Sequence, residues 1–224
     1  MLREDELQVI QNQLPFWEKL DAQGRALLSE NIFRKTFAKG ESVYSPEAEC
    51  LGVLLIIRGE LRVFILSEDG REVTLYRMAG GDTCVLSASC ILKSITFDVY
   101  VEAEQETEVL ILNIAAFSRI ARDNVYVENF ALQNTVERFS EVMWAMEQIL
   151  FLSIDRRLAG FLLEEARKLD TKTLALTHEQ IARYIGSARE VVSRMLKSFQ
   201  EEGLVEQSRG KIRIKDKKGL EAYL

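Results

Sequence analysis

The polar side chains with the clearest chemical potential lie between residues 186 and 200. They recur on one face of a predicted helix: Arg189, Glu190, Ser193, Arg194 and Lys197. The opposite face of that helix is apolar and carries Val191, Val192, Met195, Leu196 and Phe199. An arginine pairs with O6 and N7 of guanine, and a carboxylate accepts from N4 of cytosine. The polar face therefore has the chemistry needed to read the edges of base pairs.

A preceding short helix is predicted to position this face. Thr177-His178-Glu179-Gln180 fits a capping box that starts the first helix, and Gly186 fits its left-handed end. Ser187 to Glu190 reads as a second capping box, with Ser187 as the cap of the second helix. The pattern predicts a helix-turn-helix whose second helix enters the major groove. Thr177, His178 and Lys197 are expected at the phosphates of the DNA backbone, and Ser187 is also expected among the DNA-binding residues.

The residues that follow predict a wing, and the charge of this segment supports a polyanion partner. Residues 203–214 read as two short alternating strands around a turn at Arg209-Gly210. Residues 171–224 carry 11 Lys and Arg against 7 Asp and Glu, whereas the whole chain has a net charge of −6. A surface helical hairpin with a solvated charged face would show a similar pattern, but it would not require a basic winged segment on an acidic protein.

Length and composition bound the class of protein. A chain of 224 residues with 47% hydrophobic and 29% charged residues is typical of a globular protein with one large or two modest domains. No apolar run approaches the roughly 18 residues of a membrane helix, and residues 1–10 do not resemble a signal peptide. Three cysteines do not suggest a secreted disulfide framework, so we expect a cytoplasmic protein without a membrane partner.

In the first half of the chain, the spacing of apolar residues changes from helical to strand-like near residue 37. Residues 4–35 look helical, with a break at Pro15. Short apolar or alternating runs then predict strands at 42–44, 51–57, 61–66, 73–78, 96–103 and 107–113, separated by turn signals. Residues 84–92 read as a brief segment with helical character. Turns about every ten residues between β-rich runs indicate a sandwich or barrel.

From residue 115 the pattern is helical again and suggests a dimer contact. Apolar residues alternate at spacings of four and three: Leu132, Val136, Phe139, Met143, Met146 and Leu150. This is the 3.5-residue seam of a coiled coil, although a single helix lying on its own β domain would also show an apolar stripe. A further amphipathic helix is predicted from Asp155 to Lys168, followed by a short connection.

The order of these elements resembles the Crp/Fnr family of bacterial transcription regulators. The strongest local matches are IRGELRV at residues 57–63, Asp69-Gly70, Gly81-Asp82, and GSAREVVSRML at residues 186–196. The resemblance implies an α+β chain with a jelly-roll-like β-roll sensor at 1–114, a long dimerisation helix at 115–153 and a winged helix-turn-helix at 154–224. It also implies a homodimer that binds double-stranded DNA, with RNA polymerase as a partner and no enzymatic activity.

Two family patterns of the recognition helix fit the sequence. Arg189, Glu190 and Arg194 match the pattern of members that read TGTGA-type half-sites, whereas Glu190, Ser193 and Arg194 match that of members that read TTGAT-type half-sites. Glu190 and Arg194 are shared and resemble the pair that reads the TGA core. The flank remains open, with TTGA slightly preferred, because Arg189 could instead hold a phosphate.

The sensor departs from the cyclic-AMP pattern of the family. Residues 84–98 contain no Arg and no Glu, so we do not expect cyclic AMP to bind. The expected pocket for an unidentified small effector comprises Leu86, Ser87, Ser89, Cys90, Lys93 and Thr96. The chain has only three cysteines, whereas an iron–sulfur cluster needs about four thiolates. Its single histidine, the usual axial ligand of a haem, lies in the helix-turn-helix. We therefore expect neither cofactor and predict no metal site.

Alternatives to a ligand-controlled regulator remain open at the sequence level. Cys84 and Cys90 are predicted to be small buried hydrophobes, or else a thiol redox or metal switch. A different class of protein would be a thiol oxidoreductase that uses the same two cysteines. The predicted β domain contains no His that could activate a thiolate, which disfavours this class. A DNA binder without a ligand, or a winged helix that binds a protein, are the remaining possibilities; the basic segment disfavours the latter.

Overall fold

The computed structural model describes residues 2–47, 51–85 and 98–224. The chain divides into two compact units. One consists of Met1–Ile65 with Leu75–Val142, and the other of Leu66–Thr74 with Met143–Leu224. The described residues of the first unit form two clusters of buried apolar side chains, and those of the second unit form one.

The first unit begins with two short helices, α1 (Glu4–Gln13) and α2 (Ala22–Glu30), joined through a 3-10 turn at Trp17–Lys19. The predicted helical span of 4–35 is wrong at its end, because β1 (Ile32–Phe37) starts immediately after α2. Ile32 lies four residues after the buried Leu28, which imitates a helical stripe, but it pairs with Leu112 across a sheet. Tertiary strand pairing therefore overrides the local pattern.

Antiparallel strands form the body of this unit. Their bounds are β2 (Ser42–Tyr44), β3 (Val53–Arg58), β4 (Glu60–Leu66), β5 (Glu72–Ala79), β6 (Thr83–Cys84), β7 (Tyr100–Ala103) and β8 (Thr107–Leu112). They pair in the orders β1-β8-β3-β6 and β2-β7-β4-β5. Strands from both sheets contribute alternate side chains to one apolar core, as in a sandwich, which confirms the predicted β-roll class. Cys84 was expected in a helical segment and is in β6; residues 86–92 of that segment lie outside the described residues.

Two helices occupy the region predicted as a single dimerisation helix at 115–153. They are α3 (Ile114–Asp123) and α4 (Val125–Phe151), and Asn124 separates them. The Asn124 side chain accepts from the backbone N–H of Tyr126 at 3.0 Å, which starts α4 afresh. Val127, Phe130 and Ala131 of α4 pack into the core of the first unit.

The predicted seam of α4 faces away from that core. Every one of its residues is at least 44% exposed in the chain: Leu132, Val136, Phe139, Met143, Met146 and Leu150. A helix that simply lay on its own β domain through this stripe would bury it. The stripe is therefore a long apolar surface that the described part of the chain leaves exposed.

The second unit contains the elements predicted for a winged helix-turn-helix. They are α5 (Ile154–Lys168), β9 (Thr173–Leu174), α6 (His178–Ile185), α7 (Arg189–Glu201), β10 (Val205–Ser208), β11 (Lys211–Ile214) and α8 (Lys217–Glu221). The strands pair in the order β10-β11-β9, so the wing gains a strand that sequence reasoning missed. Across the described part of the chain, no helix is long and apolar enough to span a membrane.

Candidate nucleic-acid interface

Helix α6 begins at the capping box predicted from the sequence. The hydroxyl of Thr177 accepts from the backbone N–H of Gln180 at 3.2 Å, and Oε1 of Gln180 accepts from the backbone N–H of Thr177 at 2.9 Å. Ile181, Ala182 and Ile185 are buried against the core of the second unit. The cap and the buried stripe together fix where this helix starts and how it is rotated.

The turn between α6 and α7 is closed by its backbone. Gly186 has φ 61°, the left-handed conformation that an L side chain rarely adopts, and its N–H bonds the carbonyl of Ala182. The N–H of Ser187 bonds the same carbonyl at 2.9 Å. Arg157 of α5 also donates to the carbonyl of Ile185, and burial lowers the pKa of this arginine.

The second capping box predicted at Ser187–Glu190 is wrong. The residue that precedes α7 as its N-cap is Ala188, and no side chain caps this end. The carbonyl of Ala188 accepts from the N–H of Val192 at 3.1 Å, so α7 begins one residue later than predicted and Ser187 belongs to the turn, where its N–H closes α6. Glu190 consequently occupies the second position of α7 and has no capping role.

Helix α7 separates a buried face from a polar one. Val192, Leu196 and Phe199 are buried in the core of the second unit. The residues predicted to read DNA lie on the other side: Arg189, Glu190, Arg194 and Lys197 are exposed and Ser193 is half-buried. Nζ of Lys197 lies 3.8 Å from Oε1 of Glu201. Within the described ranges, neither Arg189 nor Arg194 makes an ion pair. Both guanidinium groups are thus available to an external acceptor.

The wing stands beside the first turn of α6. Nε2 of His178 lies 3.1 Å from Oε1 of Gln207 on β10, and the backbone N–H of Gln207 bonds Oε1 of Gln200 at 3.0 Å. Gly210, with φ 69°, forms the tip between β10 and β11. A cleft of about 370 Å³ opens between these elements, lined by Leu176, Thr177, His178, Glu179, Arg189, Ser208, Gly210, Lys211 and Ile212.

This cleft brings together residues from both predicted classes of DNA contact. Thr177 and His178 were expected at the phosphates and Arg189 at a base or a phosphate, and all three line it. Sequence reasoning missed Ser208 and Lys211, whose exposed positions alternate with buried ones along the wing strands. The alternation predicts which side chains of the wing are exposed. It does not predict that they face α6, because tertiary packing decides what lies opposite each strand.

The residues expected to form the effector pocket, Leu86, Ser87, Ser89, Cys90, Lys93 and Thr96, lie outside the described residues. Cys84 is described, and its side chain is fully buried in the core between the two sheets. This burial agrees with the interpretation of Cys84 as a small hydrophobe. The pairing of Cys84 with Cys90 in a thiol switch or an oxidoreductase stays a prediction, since Cys90 lies outside the described residues.

The geometry of the second unit defines a class: a winged helix-turn-helix DNA-binding protein, preceded by a β-roll. Comparison with known families agrees, since the Crp-like helix-turn-helix domain matches residues 156–223 and the cyclic nucleotide-binding domain matches residues 34–124. A solved transcriptional regulator of the Crp/Fnr family from Eubacterium rectale is 45% identical over 95% of this chain and 98% of that one, with a TM-score of 0.91. The chain belongs to the Crp/Fnr family of transcription regulators.

Two curated relatives show how widely the similarity extends. The cAMP-activated global transcriptional regulator Vfr of Pseudomonas aeruginosa is 26% identical over 80% of this chain and 87% of the relative. The transcriptional regulator flp of Lacticaseibacillus casei is 26% identical over 94% of this chain and 95% of the relative. Both matches include most of each protein, so the similarity is not confined to the helix-turn-helix.

Proposed function

We propose that this regulator acts as a homodimer that reads an inverted repeat with TGA/TCA cores. The observation that carries the proposal is the exposed face of α7, where Arg194 and Arg189 have no ion-pair partner within the described residues and Glu190 has no capping role. Arg194 is assigned to the guanine of the core and Glu190 to the cytosine paired with it. Ser193 favours a TTGA flank, whereas Arg189 favours TGTGA if it contacts a base.

The backbone contacts are assigned to the cleft between α6 and the wing. Thr177, His178 and Lys211 line it, and Lys197 extends from the exposed side of α7. Hydroxyl, imidazole and ammonium groups of this kind hold phosphate oxygens and set the register of a protein on the duplex. They contribute affinity that falls with salt, whereas the arginine–guanine contact contributes sequence preference.

Dimerisation through α4 supplies the two-fold symmetry. The exposed seam from Leu132 to Leu150 has the heptad spacing by which two helices pack knobs into holes. Two copies of α7 related by a two-fold axis read half-sites whose centres are about one helical turn apart, roughly 10–11 base pairs. RNA polymerase and an effector held by the β-roll complete the proposed set of partners.

We further propose that cyclic AMP is not that effector. Vfr is named as cAMP-activated, but residues 84–98 of this chain contain no arginine to pair with a cyclic phosphate. A phosphodiester without such a partner lacks charge-assisted hydrogen bonds of about 1.5–3 kcal/mol each. Calorimetry that gave a micromolar dissociation constant for cyclic AMP would contradict this assignment.

Selection from random DNA tests the proposed recognition. The wild-type protein should enrich inverted repeats with TGA/TCA cores, and Arg194→Ala should cost about 1–3 kcal/mol per half-site while relaxing preference at the core guanine. Lys197→Ala is the matched control: it should weaken all sequences alike and flatten the salt dependence. Enriched sites that lack the repeat would overturn the assignment of α7 as the reading helix.

A further inference from the structure

The sequence contains a single histidine, His178, and it lines the cleft between α6 and the wing. Histidine is the side chain whose ordinary change of charge falls between about pH 5 and pH 8. His178 is the first residue of α6, and its side chain is half-buried. The electrostatic charge of the cleft therefore depends on pH near neutrality.

One ring nitrogen of His178 is already engaged within the protein. Nε2 lies 3.1 Å from Oε1 of Gln207, which is an acceptor, so the neutral ring carries its one proton on Nε2 and donates it there. Within the described residues, Nδ1 has no hydrogen-bond partner. In the neutral ring Nδ1 is an acceptor, and it cannot bond a phosphate oxygen, which is an acceptor as well. Protonation of the ring makes Nδ1 a second donor.

Gln207 is itself held in place beside the ring. Its backbone N–H donates to Oε1 of Gln200, near the end of α7, at 3.0 Å. It also pairs with Ile212 across the two strands of the wing. Contacts from α7 and the wing thus position the amide oxygen that takes the Nε2 proton of His178.

Charged side chains from three elements line the cleft together with His178: Glu179 of α6, Arg189 of α7 and Lys211 of β11. Strand β10 contributes Ser208, which is neutral, and the carboxylate of Glu206 on that strand lies 3.7 Å from Nζ of Lys215. The cleft therefore has two cations and one carboxylate around the histidine. A phosphate attracted by the two cations brings negative charge to the cleft, and nearby negative charge favours a protonated imidazole.

We propose that DNA binding by this regulator is coupled to protonation of His178, so that affinity rises as the pH falls below neutrality. This inference rests on the proposed function, in which the cleft holds a DNA phosphate. The protonated ring gives that phosphate an N–H donor and a positive charge, and charge-assisted bonds are about twice as strong as neutral ones. Because the DNA-bound protein then holds more protons than the free protein, lowering the pH favours the complex. The contact is to the DNA backbone, so sequence preference stays unchanged.

Fluorescence anisotropy of the full-length protein provides the first test, with two duplexes of equal length: an inverted repeat with TGA/TCA cores and a scrambled sequence. The wild-type protein should bind both about three- to tenfold more tightly at about pH 6 than at about pH 8. His178→Gln should lose this pH dependence, and His178→Arg, whose charge is fixed, should bind tightly at both pH values. Lys197→Ala is the matched control, since it removes a phosphate contact but keeps the histidine; it should bind more weakly throughout and retain the wild-type ratio.

Two measurements on the wild-type protein complement the variants. Isothermal titration calorimetry near neutral pH, in buffers of different ionisation enthalpy, should show that DNA binding takes up a fraction of a proton per half-site. The slope of log affinity against log salt should be steeper at the lower pH by up to about 0.9 per half-site, because one more phosphate is neutralised. Melting temperatures of the His178 variants at both pH values check that each remains folded.

The outcomes separate this inference from the proposed recognition of DNA. Binding by the wild-type protein that is independent of pH, pH dependence that survives in His178→Gln, or release of protons on binding would each overturn the coupling. Selection from random DNA at about pH 8, where histidine is ordinarily neutral, tests recognition alone. A TGA/TCA repeat enriched there without any pH effect would refute only the role of His178. Absence of binding to both duplexes would refute both proposals.

Discussion

Nε2 of His178 lies 3.1 Å from Oε1 of Gln207, so the first residue of α6 is joined to strand β10 of the wing. This contact spans 29 residues of sequence and lies beside the cleft that Thr177, His178, Arg189 and Lys211 line. The proposed phosphate contacts on the two sides of the cleft are consequently held in a fixed relation to each other.

Loss of this contact should weaken DNA binding without changing its specificity. Gln207→Ala removes one side-chain hydrogen bond, about 0.5–1.5 kcal/mol, and leaves the wing less restrained. We expect affinity to fall about two- to tenfold for DNA with and without a TGA core, as measured by fluorescence anisotropy. Gln11→Ala, at an exposed glutamine of α1, is the control and should bind normally. A loss confined to one sequence would argue that Gln207 reads bases.

Substitutions at Thr177, which caps α6, and at Ser187, which caps neither helix, should differ sharply in their effect on stability. Thr177→Ala removes the side-chain acceptor at the start of α6 and should cost about 1 kcal/mol in the free energy of unfolding. Ser187→Ala should change that free energy by less than about 0.5 kcal/mol, because Ser187 is not the cap of α7. Urea denaturation of both variants gives the comparison, and equal losses would restore Ser187 as a cap.

A pair of glycine substitutions separates backbone conformation from helix propensity. Gly186→Ala places a Cβ at φ 61° and 3.1 Å from Cδ1 of Ile149, so a loss of about 1–2 kcal/mol is expected. Gly160 lies within α5, where an added Cβ meets Cδ2 of Leu224 at an ordinary 3.4 Å. Gly160→Ala should therefore be neutral or stabilising by about 0.5–1 kcal/mol. A melting temperature lower for Gly160→Ala than for Gly186→Ala would contradict this interpretation.

The oligomeric state should depend on the seam of α4. Met143→Glu puts two like charges into the proposed interface and should yield monomers in analytical ultracentrifugation. Trp144→Glu is the matched control, since Trp144 is also exposed and apolar but lies next to the seam and not on it. A dimer that survives Met143→Glu, or one that only Trp144→Glu disrupts, would place the interface elsewhere.

The helix-turn-helix could be predicted closely because its signals are local. The Thr177 cap, the left-handed Gly186 and the apolar stripe of α7 act within a few residues of one another, and each is present in the structure. Ile32 was assigned to the wrong element because its strand partner, Leu112, is 80 residues away in sequence. Ser187 was misassigned because Ser187 to Glu190 matches the capping-box pattern in sequence, whereas the folded turn makes Ala188 the N-cap of α7.

Other features of the site could not be predicted, since they depend on distant segments that meet only in the folded chain. Gln207 and Lys211 enter the cleft through the pairing of the wing strands and their packing beside α6.

The uncapped start of α7 bears on how this regulator can diverge. Ala188 contributes no side-chain bond, and the exposed positions Arg189, Glu190 and Arg194 take no part in holding the helix in place. Mutations at these three positions can therefore accumulate at little thermodynamic cost to the fold. Under the proposed assignment of these side chains to base contacts, a duplicated copy can change its preferred DNA sequence by exchanging them while its scaffold stays intact.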